Sequence, residues 1–248
     1  MGRFETTVDF YRHREPYPPE FFKTVAAHMA LTKQTRLLDV GCGPGSLAIG
    51  FAPFVGRCTA IDPEPAMLRA ARAAAAETGV AVTFIETKIE DLDCDYASFD
   101  LVTIGRALHW FSRESALTVL ERIVAPGGRI AICGSAVTDA PVNAWAGRFK
   151  EVRSSWSPDY HESRYRPDLD QWFAPSRFRK ADEIRIEHRH RVGIPELISR
   201  AVSFSITSPA VLGDRQPRYE AEIQAAVEPF ASAGVVDEEL AVTATIFG

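Results

Sequence analysis

Short apolar runs rich in β-branched residues alternate, along the first half of this chain, with stretches that suit helices. The runs are almost continuously apolar, as strands are when helices cover both faces of their sheet. This alternation predicts an α/β fold with a doubly wound, mostly parallel sheet. The predicted strands are residues 35–40, 57–62, 82–86, 100–105 and 129–133, and the predicted helices between them are residues 46–54, 63–78 and 112–124.

The pattern changes after Cys133. Residues 183–191 alternate with period two, as a strand with one polar face does, and residues 240–247 suit a last strand. Residues 195–203 and 218–231 suit helices. We therefore expect one domain with a Rossmann-like, seven-stranded sheet. Its parts would be an N-terminal arm and helix (1–34), a core (35–133), a substrate cap (134–182) and the last two strands and helices (183–248).

The predicted cap is crowded with aromatic and arginine side chains. They could face a flat or anionic acceptor. Alternatively the aromatic residues form a small core while the arginines lie in water, and we favour this arrangement for most of them. The residues are Trp145, Arg148, Phe149, Arg153, Trp156, Tyr160, Arg164, Tyr165, Arg166, Trp172, Phe173 and Arg177.

A glycine-rich turn, residues 39–45 (DVGCGPG), joins the first strand to the first helix. Such a turn brings bare backbone close to a ligand at the carboxyl edge of the sheet. The dinucleotide fingerprint G-x-G-x-x-G needs glycine where this chain has Ser46, so the register disfavours a nicotinamide-linked oxidoreductase. The pattern [DE]-x-G-x-G-x-G instead resembles motif I of class I methyltransferases that use S-adenosylmethionine (SAM).

Four further segments resemble landmarks of the same family, in order and at normal spacing. Asp62 is the last residue of the second strand, where the resemblance implies an acid that accepts both ribose hydroxyls. A dinucleotide-binding enzyme also has an acid at this position. Alternatively, the Asp62 side chain could cap the next helix. Residues 88–92 (KIEDL) resemble the adenine-contacting segment. Residues 99–105 resemble motif IV, which receives the methionine end of SAM, and residues 124–129 resemble a structural P-G-G turn. By this resemblance the cofactor-binding residues are Asp39, Gly41, Gly43, Gly45, Asp62, Pro63, Met67, Ile89, Glu90 and Gly105.

Two segments resemble one particular group within this methyltransferase class. Residues 107–111 (ALHWF) are similar to the A-x-H-W-F signature of the "type 11" methyltransferases, a group that includes trans-aconitate methyltransferase-like enzymes. Residues 11–18 (YRHREPYP) resemble the N-terminal Y-x-x-x-R-P-x-Y-P segment of that group, with Glu15 where the group usually has proline. The resemblance implies that Tyr11, Arg14 and Tyr17 cover the cofactor, with Arg14 on the SAM carboxylate and Tyr11 stacked near the sulfonium. The alternative is an arm that merely packs on the domain.

His109 follows the fourth strand and lies at the lip of the predicted site, which makes it the candidate general base. It could equally hydrogen-bond the cofactor or position Trp110. SAM is an activated donor, so a carboxylate acceptor, ionised at neutral pH, needs no base, whereas a hydroxyl would benefit from one. We expect a small-molecule acceptor methylated on oxygen, with S-adenosylhomocysteine (SAH) as product.

Composition limits the partners. The net charge of −5 disfavours a protein that grips a nucleic-acid backbone, and RNA or protein methylation and non-catalytic SAM binding remain alternatives. Residues 1–10 lack a secretory signal, and no run of about 18 apolar residues occurs, so we expect a cytoplasmic protein without a membrane span. The four cysteines have neither CxxC spacing nor a nearby histidine, so we expect reduced, mostly buried thiols and no metal. They are Cys42, Cys58, Cys94 and Cys133.

Overall fold

The computed structural model describes residues 6–93, 98–157 and 167–248. Within these ranges seven strands form one sheet in the order β3-β2-β1-β4-β5-β7-β6. This arrangement confirms the predicted α/β class and the mostly parallel, seven-stranded sheet. The strands are β1 (Arg36–Val40), β2 (Arg57–Asp62), β3 (Thr83–Glu86), β4 (Phe99–Ile104), β5 (Val124–Val137), β6 (Lys180–Gly193) and β7 (Val235–Phe247).

The pairing of β1 aligns three strand ends at one edge of the sheet. β1 pairs in parallel with β2 on one side and β4 on the other, and Val40 lies between Ile61 and Ile104. The strand order reverses at β1 and β4, where open α/β sheets bind their ligands at the carboxyl ends of the strands. The chain segments that follow these three strands therefore leave the sheet at the same edge.

The α-helices follow the predicted pattern in the core, and the clearest is the alanine-rich helix after β2. It starts at Pro65, a position where the missing N–H of proline costs nothing, and ends at Gly79, whose φ of +68° suits a helix end. The helices are α1 (Val8–Tyr11), α2 (Pro19–His28), α3 (Ser46–Phe51), α4 (Pro65–Thr78), α5 (Arg113–Ile123), α6 (Ala144–Ser155), α7 (Leu169–Phe173), α8 (Ile194–Val202), α9 (Pro209–Leu212) and α10 (Gln216–Val227).

β5 begins five residues earlier than the sequence predicts. The segment that resembles a P-G-G turn belongs to the strand, and its register shifts between the pairs Phe99–Val124 and Leu101–Arg129. Gly127 has a φ of +74°, which explains the need for glycine there. The chain therefore passes through the irregularity without leaving the sheet.

The chain divides into two compact units. The core unit comprises residues 17–134, 162–186 and 242–248, and the second unit comprises residues 1–16, 135–161 and 187–241. Each has its own apolar cluster: Leu38, Val102 and Leu120 belong to the first, and Leu197 and Tyr219 to the second. The division into arm, core, cap and last strands remains a prediction.

Four aromatic residues of the predicted cap are interior residues of these units. Trp145 and Phe149 pack in the second unit, and Trp172 and Phe173 pack in the core unit, all less than a tenth exposed. These four side chains are buried, as the packing alternative expects, but they belong to two different clusters and do not form one small core of the cap's own. The cap residues Tyr160, Arg164, Tyr165 and Arg166 lie outside the described residues.

Three cysteines, Cys42, Cys58 and Cys133, are buried, as the sequence predicts, and each is a free thiol in the structure. Cys94 lies outside the described residues. No helix in the described part of the chain is long and apolar enough to cross a membrane.

Candidate functional site

The glycine turn after β1 requires glycine for two separate reasons. Gly41, Gly43 and Gly45 have φ values of +64°, +53° and +85°, a region that other residues rarely adopt. In addition, a Cβ atom on Gly41 would lie 2.4 Å from the Cβ of Ala107. The turn therefore packs directly against the segment that follows β4.

Asp62 ties this turn to the start of α4. Its Oδ2 accepts a hydrogen bond from the Gly43 N–H at 2.8 Å, and its Oδ1 accepts one from the Glu64 N–H at 2.9 Å. Burial raises the pKa of Asp62, and the two backbone donors oppose that rise. Because two carboxylate oxygens offer about four acceptor positions, the side chain keeps the capacity to accept further donors such as hydroxyl groups.

Asp39 supports the turn from inside the core unit. Its Oδ1 accepts from the Thr103 hydroxyl at 2.8 Å, and its Oδ2 accepts from the Ala48 N–H at 3.1 Å. The side chain is 1% exposed, and this burial raises the pKa of Asp39 to about 7, against the two hydrogen bonds. Both oxygens are engaged by protein groups, so Asp39 joins α3 to β4.

The segment after β3 connects to the segment after β4 through Glu90. Ile89 is buried at 2% exposure, whereas Glu90 is half-buried. Oε1 of Glu90 accepts a hydrogen bond from the Ser112 N–H at 2.7 Å, directly before α5. The side chain of Ser112 makes no capping hydrogen bond of its own, so Glu90 satisfies a donor at the start of that helix.

His109 lies on a short 3₁₀ turn that is held at both ends. Ala107 and Phe111 pack at Gly41, and the next residue, Ser112, is bound by Glu90. The His109 ring is half-buried, with its centroid 4.7 Å from that of Trp110, which is 38% exposed. This geometry presents an imidazole and an indole at the carboxyl edge of the sheet.

Tyr17, which the N-terminal segment predicts, and Arg106, which no motif predicts, lie close to each other beside Gly105. The Tyr17 hydroxyl donates to the Cys133 carbonyl at 3.3 Å and lies 3.7 Å from where a Gly105 Cβ would be. The Arg106 guanidinium lies 5.4 Å from the centre of the Tyr17 ring. The sequence carries a signal for Tyr17 in the N-terminal segment but none for its contact with Gly105.

The other predicted site residues have different surroundings. Pro63 is exposed, and Met67 is 3% exposed within α4. Tyr11 and Arg14 belong to the second unit, where the Arg14 guanidinium stacks 3.7 Å from the centre of the Phe204 ring. The predicted residues that the core unit brings to one edge of the sheet are Asp39, Gly41, Gly43, Gly45, Asp62, Glu90, Gly105 and His109.

Histidine, cysteine and acidic side chains are the usual metal ligands in proteins. Over residues 6–93, 98–157 and 167–248, no three of them are placed so that they could hold a metal ion. The backbone donors, carboxylates and aromatic rings at the sheet edge suit an organic ligand.

Comparison with known proteins places the similarity over this same region. The family described as a methyltransferase domain matches residues 37–128. An uncharacterised methyltransferase of Mycobacterium tuberculosis is 29% identical over 213 residues, which cover 84% of this chain and 79% of that protein. A ubiquinone biosynthesis O-methyltransferase of Alkalilimnicola ehrlichii is 41% identical over 97 residues, 38% of this chain and 39% of that protein.

A solved structure shares the fold over almost the whole length. It is a SAM-dependent methyltransferase from Geobacter sulfurreducens in complex with SAH, 19% identical, with a TM-score of 0.58. The alignment covers 99% of this chain and 97% of that one. The match to the methyltransferase domain contains the glycine turn, Asp62, Glu90 and His109.

Proposed function

We propose that this chain, whose residues 37–128 match a methyltransferase domain, uses SAM as its donor and transfers the methyl group to an oxygen atom of a small-molecule acceptor. The observation that carries the proposal is the hydrogen bond between Asp62 and the Gly43 N–H, 2.8 Å long. It holds the acid that ends β2 against the glycine turn that follows β1. A ribose beside this pair would find a carboxylate with acceptor positions still available.

The proposed cofactor site uses the residues at the carboxyl edge of the core unit. Gly41, Gly43 and Gly45 provide bare backbone, and Asp62 accepts the ribose hydroxyls. Ile89 and Glu90 border the adenine, and Gly105 receives the methionine end. Asp39 is nearly inaccessible, so in this proposal it acts by holding the turn. Pro63 and Met67, and Tyr11 and Arg14 of the N-terminal arm, complete the proposed set by resemblance.

In the proposed chemistry His109 accepts the proton of an acceptor hydroxyl. SAM, when bound, supplies a methyl group already activated by its sulfonium. The protein therefore has to orient the acceptor oxygen in line with the methyl group and, for a hydroxyl, to take its proton. The turn that carries His109 is fixed at Gly41 and at Ser112, which supports such a positioned role.

The acceptor class rests on two observations. The net charge of −5 favours a small molecule over a nucleic acid. The relative from Alkalilimnicola ehrlichii is named an O-methyltransferase of ubiquinone biosynthesis, although only 39% of its length is covered. Oxygen methylation of a small molecule is the proposal consistent with both.

Calorimetry with SAH tests the cofactor site. We expect micromolar affinity, on the order of 8 kcal/mol of binding free energy, for the wild type, and a loss of about tenfold or more for Asp62→Asn. The wild type should bind the 2′-deoxy form of SAH more weakly than it binds SAH. The Asp62→Asn variant should bind the two ligands with equal affinity. Asp100→Asn is the matched control, because Asp100 pairs with Arg36 instead. Equal discrimination against the deoxy ligand by the wild type and by Asp62→Asn would remove the ribose role.

Transfer of a tritiated methyl group tests the acceptor. Carboxylic acids, phenols, transfer RNA and a protein extract are the substrate classes to compare, with SAM labelled on the methyl carbon. Label in phenols or carboxylic acids supports the proposal, and label only in RNA or protein would replace it. His109→Gln should lower transfer to a hydroxyl by about 100-fold or more. Unchanged transfer would end its role as a base.

A further inference from the structure

We infer that Arg200 anchors the N-terminal arm, residues 11–16, within the second unit and thereby acts as a positioning residue for cofactor binding. The inference rests on the proposed function, in which Tyr11 and Arg14 of this arm contribute to binding SAM. Arg200 lies in α8, remote from the arm in sequence. No motif of the sequence points to it.

Arg200 is held by a buried carboxylate. Its guanidinium is 2% exposed and forms two hydrogen bonds to Glu238 of β7, Nη1 to Oε1 at 2.5 Å and Nη2 to Oε2 at 3.0 Å. The Glu238 side chain has no exposed surface. Desolvation of two buried charges can offset their attraction, and apolar residues of similar volume often fill such a site without loss of stability. The stability of the second unit therefore gives no sufficient reason for this pair.

The third nitrogen of the guanidinium, Nε, contacts the arm. Nε of Arg200 donates to the His13 carbonyl at 2.8 Å, and Nη1 lies 4.0 Å from Oε1 of Glu15. An apolar side chain at position 200 could make neither contact. Glu238 orients the planar group, and the planar group in turn holds the backbone and a carboxylate of the arm.

Two further contacts hold the arm at Arg14, between these two residues, and at Pro16, directly after them. The hydroxyl of Ser135, itself 9% exposed, donates to the Pro16 carbonyl at 2.9 Å. The Arg14 guanidinium stacks on the ring of Phe204, just beyond the end of α8. Each residue of the arm from His13 to Pro16 thus has a contact in the second unit, and Arg200 makes two of these contacts.

A double substitution separates anchoring from folding. Arg200→Met with Glu238→Leu replaces the ion pair by apolar side chains of similar size, which buried sites often tolerate. His190 also contacts Glu238, with Nε2 3.2 Å from Oε2, and its side chain is 24% exposed, so water can replace the lost carboxylate. Thermal unfolding then shows whether the full-length variant is folded.

Two measurements report the anchor. Trypsin should cut after Arg12 and Arg14 about tenfold faster in the double variant, and its SAH affinity, measured by calorimetry, should fall about tenfold. The matched control is Arg191→Gln with Asp237→Asn, an exposed pair between β6 and β7 with atoms 3.9 Å apart, next to Glu238 in sequence. That control should change neither value.

Coupling to the arm distinguishes positioning from a general loss of structure. In an Arg14→Ala background the double substitution should cause little further loss of SAH affinity, because both changes remove the same contribution. If the fold-losses of SAH affinity caused by Arg14→Ala and by the double substitution simply multiply, the inference is overturned. Unchanged SAH affinity in a folded double variant would also overturn it. If the double variant does not fold, Ser135→Ala tests the neighbouring contact, with the same direction expected in both measurements; no change in either would also overturn it.

The proposed function fails separately. A wild-type protein that does not bind SAH would refute the cofactor role and, with it, the positioning role of Arg200. Normal wild-type binding together with unchanged cleavage and affinity in the folded double variant would refute the inference alone.

Discussion

At Gly41 two constraints meet, and each of them excludes a side chain. The φ of +64° costs an L-residue about 1 kcal/mol or more, and a Cβ would lie only 2.4 Å from that of Ala107. Gly79 has a similar φ of +68°, but a Cβ atom added to it would have no other atom beyond its chain neighbours within 4 Å. An alanine at Gly79 therefore costs backbone strain alone, whereas an alanine at Gly41 costs backbone strain and a steric clash.

We expect Gly41→Ala to lower the free energy of unfolding by about 3 kcal/mol and Gly79→Ala by about 1 kcal/mol. Urea unfolding followed by circular dichroism measures both. Ala107→Gly in the Gly41→Ala background should recover the packing part of the loss and leave the strain. Equal losses for the two glycine variants would show that the turn can move away from Ala107.

The roles of single residues differ in how far the sequence reveals them. The register of Gly41, Gly43 and Gly45 is local, so the sequence predicts that backbone approaches a ligand there. The partners of Asp39 are not local: Thr103 lies 64 residues away and meets it only because β1 and β4 pair in that register. The sequence therefore predicts an acid at the turn but not what it holds.

Among the strands, the first four are predicted best. β2 has the predicted bounds, and β1, β3 and β4 differ from theirs by one residue, because short apolar runs rich in β-branched residues mark such strands. The helix α6 was not predicted, although Trp145, Phe149 and Val152 have helical spacing and pack in the second unit. Charged residues, among them Arg148 and Arg153, lie between or directly after these apolar positions and weaken the helical pattern in the sequence.

The start of α5 gives a prediction for an element as a whole. The helix itself provides no acceptor for the Ser112 N–H, and the Glu90 carboxylate accepts this hydrogen bond instead. Glu90→Ala should cost about 1–2 kcal/mol in urea unfolding, and Glu90→Gln less, since an amide oxygen still accepts a hydrogen bond. Glu114→Ala, in the exposed first turn of α5, is the control and should stay within about 0.5 kcal/mol. A loss at Glu114 as large as that at Glu90 would contradict the capping role.

Over the whole molecule, strand order decides which segments share an edge. Alternating strands and helices predict parallel pairing, and parallel pairing places the ends of β1, β2 and β4 together. The membership of the N-terminal arm in the second unit depends on contacts such as Arg200 to His13, 187 residues apart. Packing at that separation leaves no periodic signal in the sequence.

The pH dependence of stability combines groups from both units. Burial lowers the pKa of His13 and of His190, so their contribution to the free energy of unfolding grows as pH rises through about 6.5. Asp39 acts in the opposite direction, because burial raises its pKa from 3.8 to about 7. Between these two values the folded protein keeps a proton on Asp39 that the unfolded chain has released. The contribution of Asp39 is therefore complete below pH 3.8 and is lost as pH rises through about 7.

Asp39→Asn isolates this contribution, because asparagine does not titrate and can accept from the Ala48 N–H while it donates to the Thr103 hydroxyl. The free energy of unfolding of the wild type, minus that of the variant, should fall by about 2–4 kcal/mol between pH 4 and 7 and stay level above it. Subtracting the variant removes the histidine contributions, which both proteins share. The measurement is urea unfolding at intervals of half a pH unit. A difference that stays constant across this range would mean that Asp39 is ionised in the folded protein at pH 5, and that the turn tolerates a buried charge held only by Thr103 and Ala48.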